Sequence, residues 1–191
     1  KLAATHPPME VVELLNRFFA VIVDEVDRHY GSLNKFIGDA TLAVFGAPMS
    51  LNRPENNALA AARNISQRLR EEVPEITAGV GVTAGTAVAG NMGARERFEY
   101  TVIGDPVNEA ARLSDLAKPT HGRVLASEAA VNAATDYERR HWEMRAEVTL
   151  RGRSTPTRVA APAIDRRESG PTTPTNFLSR KLGQIFGATK R

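Results

Sequence analysis

Residues 34–46 read "NKFIGDATLAVFG" and set a lysine and an aspartate, Lys35 and Asp39, four positions apart in an otherwise apolar run. Two chemistries fit the pair. It can be a cross-strand ion pair on an exposed hairpin, which contributes little. It can also be two charges that serve a bound ligand. The second needs polar groups converging from elsewhere, and the chain has them. In "YTVIGDPVNEAARL", residues 100–113, Thr101 and Asp105 lie near the end of a strand. Asn108 and Arg112 follow at i, i+4, a spacing that stacks both side chains on one helix face. An amide and a guanidinium projecting together suit an oxyanion or a phosphate. Pairing of Arg112 with Glu109 or Asp115 on a wet surface is the alternative. Arg151, in "LRGR", follows a strand and precedes a glycine that lets a phosphate approach; a solvated turn cation is the other reading.

These residues need a scaffold. The apolar stripe Val11, Leu14, Leu15, Phe18, Phe19, Ile22 and Val26 predicts a helix over residues 9–29. Two β-rich runs around Gly38-Asp39 predict a hairpin. Pro54 opens a second helix to about residue 72, with Leu59, Ala62, Ile65 and Leu69 on its apolar face. A β-rich, glycine-rich stretch follows at 76–93, then a strand in "FEYTVIG". Asp105 is expected to cap the next helix, with Pro106 at its first position, to about residue 117. "GRVLAS" is a short strand, and Ser127 caps a short helix through residue 134. "AEVTLRG" and "PTRVAAP" form a final strand pair. The order, a leading helix and then β–β–α–β–β–α–β–α–β–β, is an α+β pattern.

Composition bounds the rest. The chain has 191 residues, 42% hydrophobic and 25% charged, as a globular domain with a core requires. It has no cysteine, which removes disulfides and thiolate chemistry. No apolar run approaches the roughly 20 residues of a membrane span, and the N-terminus has no signal-like apolar region, so a cytoplasmic location is expected. The net charge of +3 is uneven: residues 166–191 carry +5, leaving −2 on the rest. With 6% aromatics, that distribution speaks against nucleic acid as a partner. Residues 164–176 read as a linker and 177–191 as a basic amphipathic tail. For the tail, contact with a membrane or partner, docking on its own domain and a disordered terminus all stay open.

The stretches "NKFIGDATLAVFG", "GVTAGTAVAGNMG", "FEYTVIGDPVNEAARL" and "VTLRGR", in this order, resemble the class III nucleotidyl cyclases over about residues 1–163. The chain looks similar to actinobacterial adenylyl cyclases joined to membrane and HAMP segments. The resemblance implies a ferredoxin-like α+β domain that acts as a head-to-tail homodimer with shared active sites. It implies conversion of ATP to 3′,5′-cyclic AMP and pyrophosphate, by in-line attack of the ribose 3′ oxygen on the α-phosphorus. It makes Asp39 a ligand for Mg²⁺ or Mn²⁺, two per site, and Lys35 and Thr101 the readers of adenine. Asn108 orients the ribose and Arg112 balances charge on the α-phosphate. Arg151 stands where the family carries a lysine for the terminal phosphates. In the family, Asp39 of one copy faces Lys35, Thr101, Asn108 and Arg112 of the other. A diguanylate cyclase of similar topology is excluded, because no GGDEF-like turn is present.

One departure shapes the expectation. The family's second metal carboxylate lies on a first strand of the pattern F-x-D-[ILV]-x-G-[FS]-T, and this chain opens with "KLAATHPP", which resembles the stretch after it. Asp24 and Asp27 fall within the first helix and do not stand in. The expectation is a catalytic domain incomplete at its N-terminus, its sheet short of a central strand, with little or no activity by itself. A cyclase-like module that binds nucleotide or a partner without turnover is the alternative.

Overall fold

The computed structural model describes residues 7–94, 97–151 and 156–163; the linker and tail at 164–191 lie outside the described residues. Helix α1 runs Pro8–Arg28 and α2 runs Pro54–Glu72, each with proline in its first turn, where the missing N–H costs nothing. Their apolar stripes face each other. Leu14, Phe18, Val21, Ile22 and Val26 of α1 bury against Ala61, Ile65 and Leu69 of α2. The hairpin of β1 (Ser32–Ile37) and β2 (Ala40–Val44) lies beside them, with Leu33, Ala43 and Phe45 packed onto the same core. Its two-residue turn begins with Gly38 at φ +63°, a conformation cheap only for glycine.

The main sheet has four strands in the order β3-β6-β8-β7: β3 (Val80–Val82), β6 (Val124–Ser127), β8 (Thr157–Pro162) and β7 (Trp142–Val148). β3 and β6 pair in parallel; the other two ladders are antiparallel. Alternation along the strands serves two layers. Val82, Val124 and Ala126 bury with Leu59 and Ala62 of α2 and with Ala130 and Val131 of α4 (Glu128–Ala133). Leu125 and Val159 bury on the opposite face with Leu113 and Ala117 of α3 (Asp105–Ala117). A third sheet is the hairpin of β4 (Val88–Ala94) and β5 (Arg97–Ile103). Among the described residues no ladder joins the three sheets. The expected ferredoxin-like α+β architecture, mainly antiparallel with helices packed on it, is the one observed.

Local expectations need four corrections. The glycine-rich stretch holds two strands, β3 and β4, because Gly85 falls between them and pairs with neither. Asp105 is the first helical residue of α3 and Gly104 takes the N-cap position, with no side-chain cap. A further short helix, α5 (Asp136–Arg139), follows α4, capped by the Thr135 hydroxyl. β7 begins at Trp142, earlier than its alternation suggests, and ends at Val148.

Candidate active site

The placement of Lys35 begins with an irregularity. Leu33 pairs with Ala43 but Lys35 pairs with Leu42, so Asn34 is the extra residue of a β-bulge. Regular alternation would put positions 33 and 35 on one face. The bulge turns them apart: Leu33 joins the α1–α2 core while Lys35 faces away from it. Lys35 does not pair with Asp39. Its ammonium meets Glu99 Oε1 of β5 at 2.9 Å, and next to it Asn34 Nδ2 donates to the Tyr100 carbonyl at 3.0 Å. The cross-strand pairing of Lys35 with Asp39 is therefore ruled out. Asp39 sits exposed at the hairpin tip. Thr101 lies two residues beyond Glu99, on the same face of β5, half-buried. It pairs with Gly90, which puts no side chain beside it. The structure thus brings the Thr101 strand to Lys35.

Asn108 and Arg112 ride on α3, and glycine sets the position of that helix. A Cβ on Gly81 would come within 2.6 Å of Ser114 N and closer still to the Ala110 carbonyl. One on Gly79 would strike the Ser114 carbonyl, and one on Gly85 would meet Pro106 Cγ at 2.6 Å. The helix backbone therefore rests directly on β3. Thr83 Oγ1 adds a hydrogen bond to the Pro106 carbonyl, 2.8 Å. On the helix, Leu113 is fully buried, Asn108 is exposed and Arg112 is half-buried. Of the acidic neighbours of Arg112, Asp115 pairs with Lys118 at 2.7 Å, and buried Glu109 accepts from Thr157 Oγ1 at 3.0 Å. Arg151 lies exposed in the turn after Leu150, which packs into the core of α3.

Among the described residues no three His, Cys, Asp or Glu side chains group as a metal site. Asp39 offers one carboxylate, which fits part of a hard-cation site and no more. Asp24 does not add to it: it lies on α1, where its carboxylate is held by Arg68 of α2 and by Arg28. A groove of about 370 Å³ between α1 and α2 is lined by Arg17, Asp24, Arg68 and Glu72 among others, and by none of the candidate site residues. Arg68 there holds Asp24 and Glu72, and Arg17 reaches Glu75 and the Glu72 carbonyl.

Sequence reasoning missed Glu99 and Asn34. The available signal for Glu99 was its i−2 spacing from Thr101 on a strand. For Asn34 there was none, because a bulge is a property of two paired strands.

Comparison with known proteins places this arrangement. Residues 1–160 match the family described as the adenylate and guanylate cyclase catalytic domain. An uncharacterized protein of Mycobacterium tuberculosis, Rv1319c, is 59% identical over 162 residues, 85% of this chain and 30% of that protein. A second from the same organism, Rv1318c, has the same identity and coverage. The chain thus spans about a third of the length of these relatives. Among solved structures, the guanylyl cyclase Cya2 superposes with a TM-score of 0.73 at 28% identity, covering 91% of this chain and 87% of that one. The adenylyl cyclase CyaB from P. aeruginosa superposes with a TM-score of 0.71 at 23% identity, covering 88% and 89%. The family match covers most of the chain, and this chain belongs to the adenylate and guanylate cyclase catalytic domain family.

Proposed function

We propose that this chain is an adenylyl cyclase catalytic domain that converts ATP to 3′,5′-cyclic AMP and pyrophosphate at a site shared by two copies. The observation that carries the reading is the separation of Lys35 from Asp39. The lysine lies against β5 near Thr101, and the aspartate stands alone at the hairpin tip. Such a split suits two charges that serve different sites. Lys35 donates to a ring nitrogen of adenine, and the Thr101 hydroxyl accepts from the exocyclic amine. Asn108 holds the ribose so that the 3′ oxygen lines up with the α-phosphorus; fixing that geometry is most of the catalysis open to a phosphoryl transfer. Arg112 takes up charge growing on the α-phosphate. Arg151 meets the terminal phosphates as a two-pronged donor. Asp39 of the facing copy ligates Mg²⁺ or Mn²⁺, which when bound supplies charge neutralisation at the phosphates. In the longer parent, the domain works on the cytoplasmic side of a membrane anchor; among the described residues no helix is long and apolar enough to cross a membrane.

Among the described residues no second carboxylate groups with Asp39 into a metal site, and a second reading is a cyclase-like module that binds nucleotide without turnover. One experiment separates the two. Cyclic AMP from ATP and cyclic GMP from GTP are measured with Mn²⁺ for the unsubstituted chain, for Lys35→Ala, for Asp39→Ala and for an equal mixture of the two variants. The shared-site reading expects each variant to lose turnover and the mixture to recover part of it through one intact composite site. A mixture that dimerises yet stays inactive, beside an active unsubstituted chain, refutes the shared site. Nucleotide binding without product in the unsubstituted chain selects the binding module.

A further inference from the structure

We infer that Asn34 is a positioning residue that sets the distance between the two base-reading strands; this rests on the base-site reading above. Lys35 and Thr101 belong to different two-stranded sheets, and among the described residues no backbone ladder joins β1 to β5. Side chains must therefore fix their relative placement. The Lys35–Glu99 ion pair cannot do so during the reaction. Glu99 is 65% exposed, which makes the pair weak, and the ammonium it holds is the one that a base must engage. The Asn34 amide survives that exchange. It is half-buried, and it grips a backbone carbonyl, not a mobile side chain. Its anchor, Tyr100, adjoins Thr101 on β5, about 3.3 Å along the strand.

The same residue is the extra one of the bulge that turns Lys35 away from the α1–α2 core, and its amide spans the gap to β5. Its Oδ1 is buried with no hydrogen-bond partner among the described residues, so the amide is held by its donor alone. An aspartate there keeps the shape but loses the donor and sets an oxygen against the Tyr100 carbonyl.

The test compares Asn34→Asp and Asn34→Ala with the unsubstituted chain, reading kcat and KM for ATP and GTP with Mn²⁺ and the melting temperature. Where turnover is absent, calorimetric Kd values replace KM. Losing one hydrogen bond that aligns the base readers raises KM for ATP about tenfold and lowers the ATP-over-GTP ratio of kcat/KM about tenfold, with kcat within about threefold. Unchanged KM and ratio in Asn34→Asp overturn the inference. So does a parallel fall of kcat and melting temperature with the ratio intact, because that marks a structural role. Lys35→Ala and Thr101→Ala run alongside. If neither moves the ratio, or the unsubstituted chain binds no nucleotide, the base-site reading itself fails. If both move it and Asn34→Asp does not, only the role of Asn34 fails.

Discussion

Replacing Gly81 with alanine tests whether α3 takes its position from β3. The added Cβ would sit 2.6 Å from Ser114 N and 3.0 Å from Leu113 Cβ, with the Ala110 carbonyl nearer still. Two of these atoms are helix backbone, so no side-chain rotation relieves them. The helix has to retreat by about 1 Å to restore normal packing. Overpacking of this kind costs about 1–3 kcal/mol, and backbone obstruction puts Gly81→Ala near the upper end. For a domain of this size that lowers the melting temperature by about 6–12 °C. On the proposed reading the retreat also displaces Asn108 and Arg112 from the positions in which they would hold the nucleotide, and a displacement of about 1 Å is enough to cost turnover about a hundredfold. Gly90→Ala on β4 is the control for stability alone, since a Cβ there meets nothing within 4 Å but stands beside Thr101. It should melt within about 2 °C of the unsubstituted chain. Differential scanning fluorimetry and cyclic nucleotide production, or nucleotide affinity where turnover is absent, read both variants. If Gly81→Ala melts with Gly90→Ala and matches the unsubstituted chain in product or affinity, α3 is not seated on β3 and the account of how Asn108 and Arg112 are placed is wrong.

Two further predictions concern the scaffold. Glu138 is buried, accepts both prongs of Arg63 at 3.1 and 2.9 Å and also accepts from Trp142 Nε1 at 3.0 Å. Glu138→Ala strands a guanidinium and an indole N–H and should cost about 3 kcal/mol, read as a lower urea midpoint at unchanged slope; a midpoint within error of the original refutes the network's role. At the α1–α2 seam, Arg68 holds Asp24, Glu25 and Glu72. Its hydrogen bonds lower the pKa of both Glu72 and Asp24. A depressed carboxylate contributes stability that is present above its unfolded pKa and is lost as pH falls through the folded one. Melting temperature should therefore begin to drop below about pH 4, and Arg68→Met should flatten that drop. An equally steep acid decline in the variant refutes the assignment.

Much of the fold is legible in the residues. The 3.6-residue stripes of α1 and α2, and the proline that opens α2, place both helices within a residue or two. Gly38-Asp39 marks the hairpin turn, and Ser127 caps α4 by accepting from Ala130 N. Where prediction slips, a nonlocal contact is responsible. The glycine-rich stretch divides because residues 83–87 turn to α3, where Thr83 bonds the Pro106 carbonyl and Gly85 leaves room for the Pro106 ring. Trp142 belongs to β7 because its indole reaches Glu138 and its backbone pairs with Pro162.

The candidate site divides the same way. Sequence alone determined which chemistry is on hand. An amide and a guanidinium one helical turn apart follow from local periodicity, and so does a lone aspartate at a tight turn. Tertiary structure decided what each charge faces. Lys35 turns toward β5 because a bulge, defined by the register of two strands, reverses its face, and it meets Glu99 across 64 positions of chain. Side-chain identity is written residue by residue, but partnership depends on the register and packing of segments far apart in the chain.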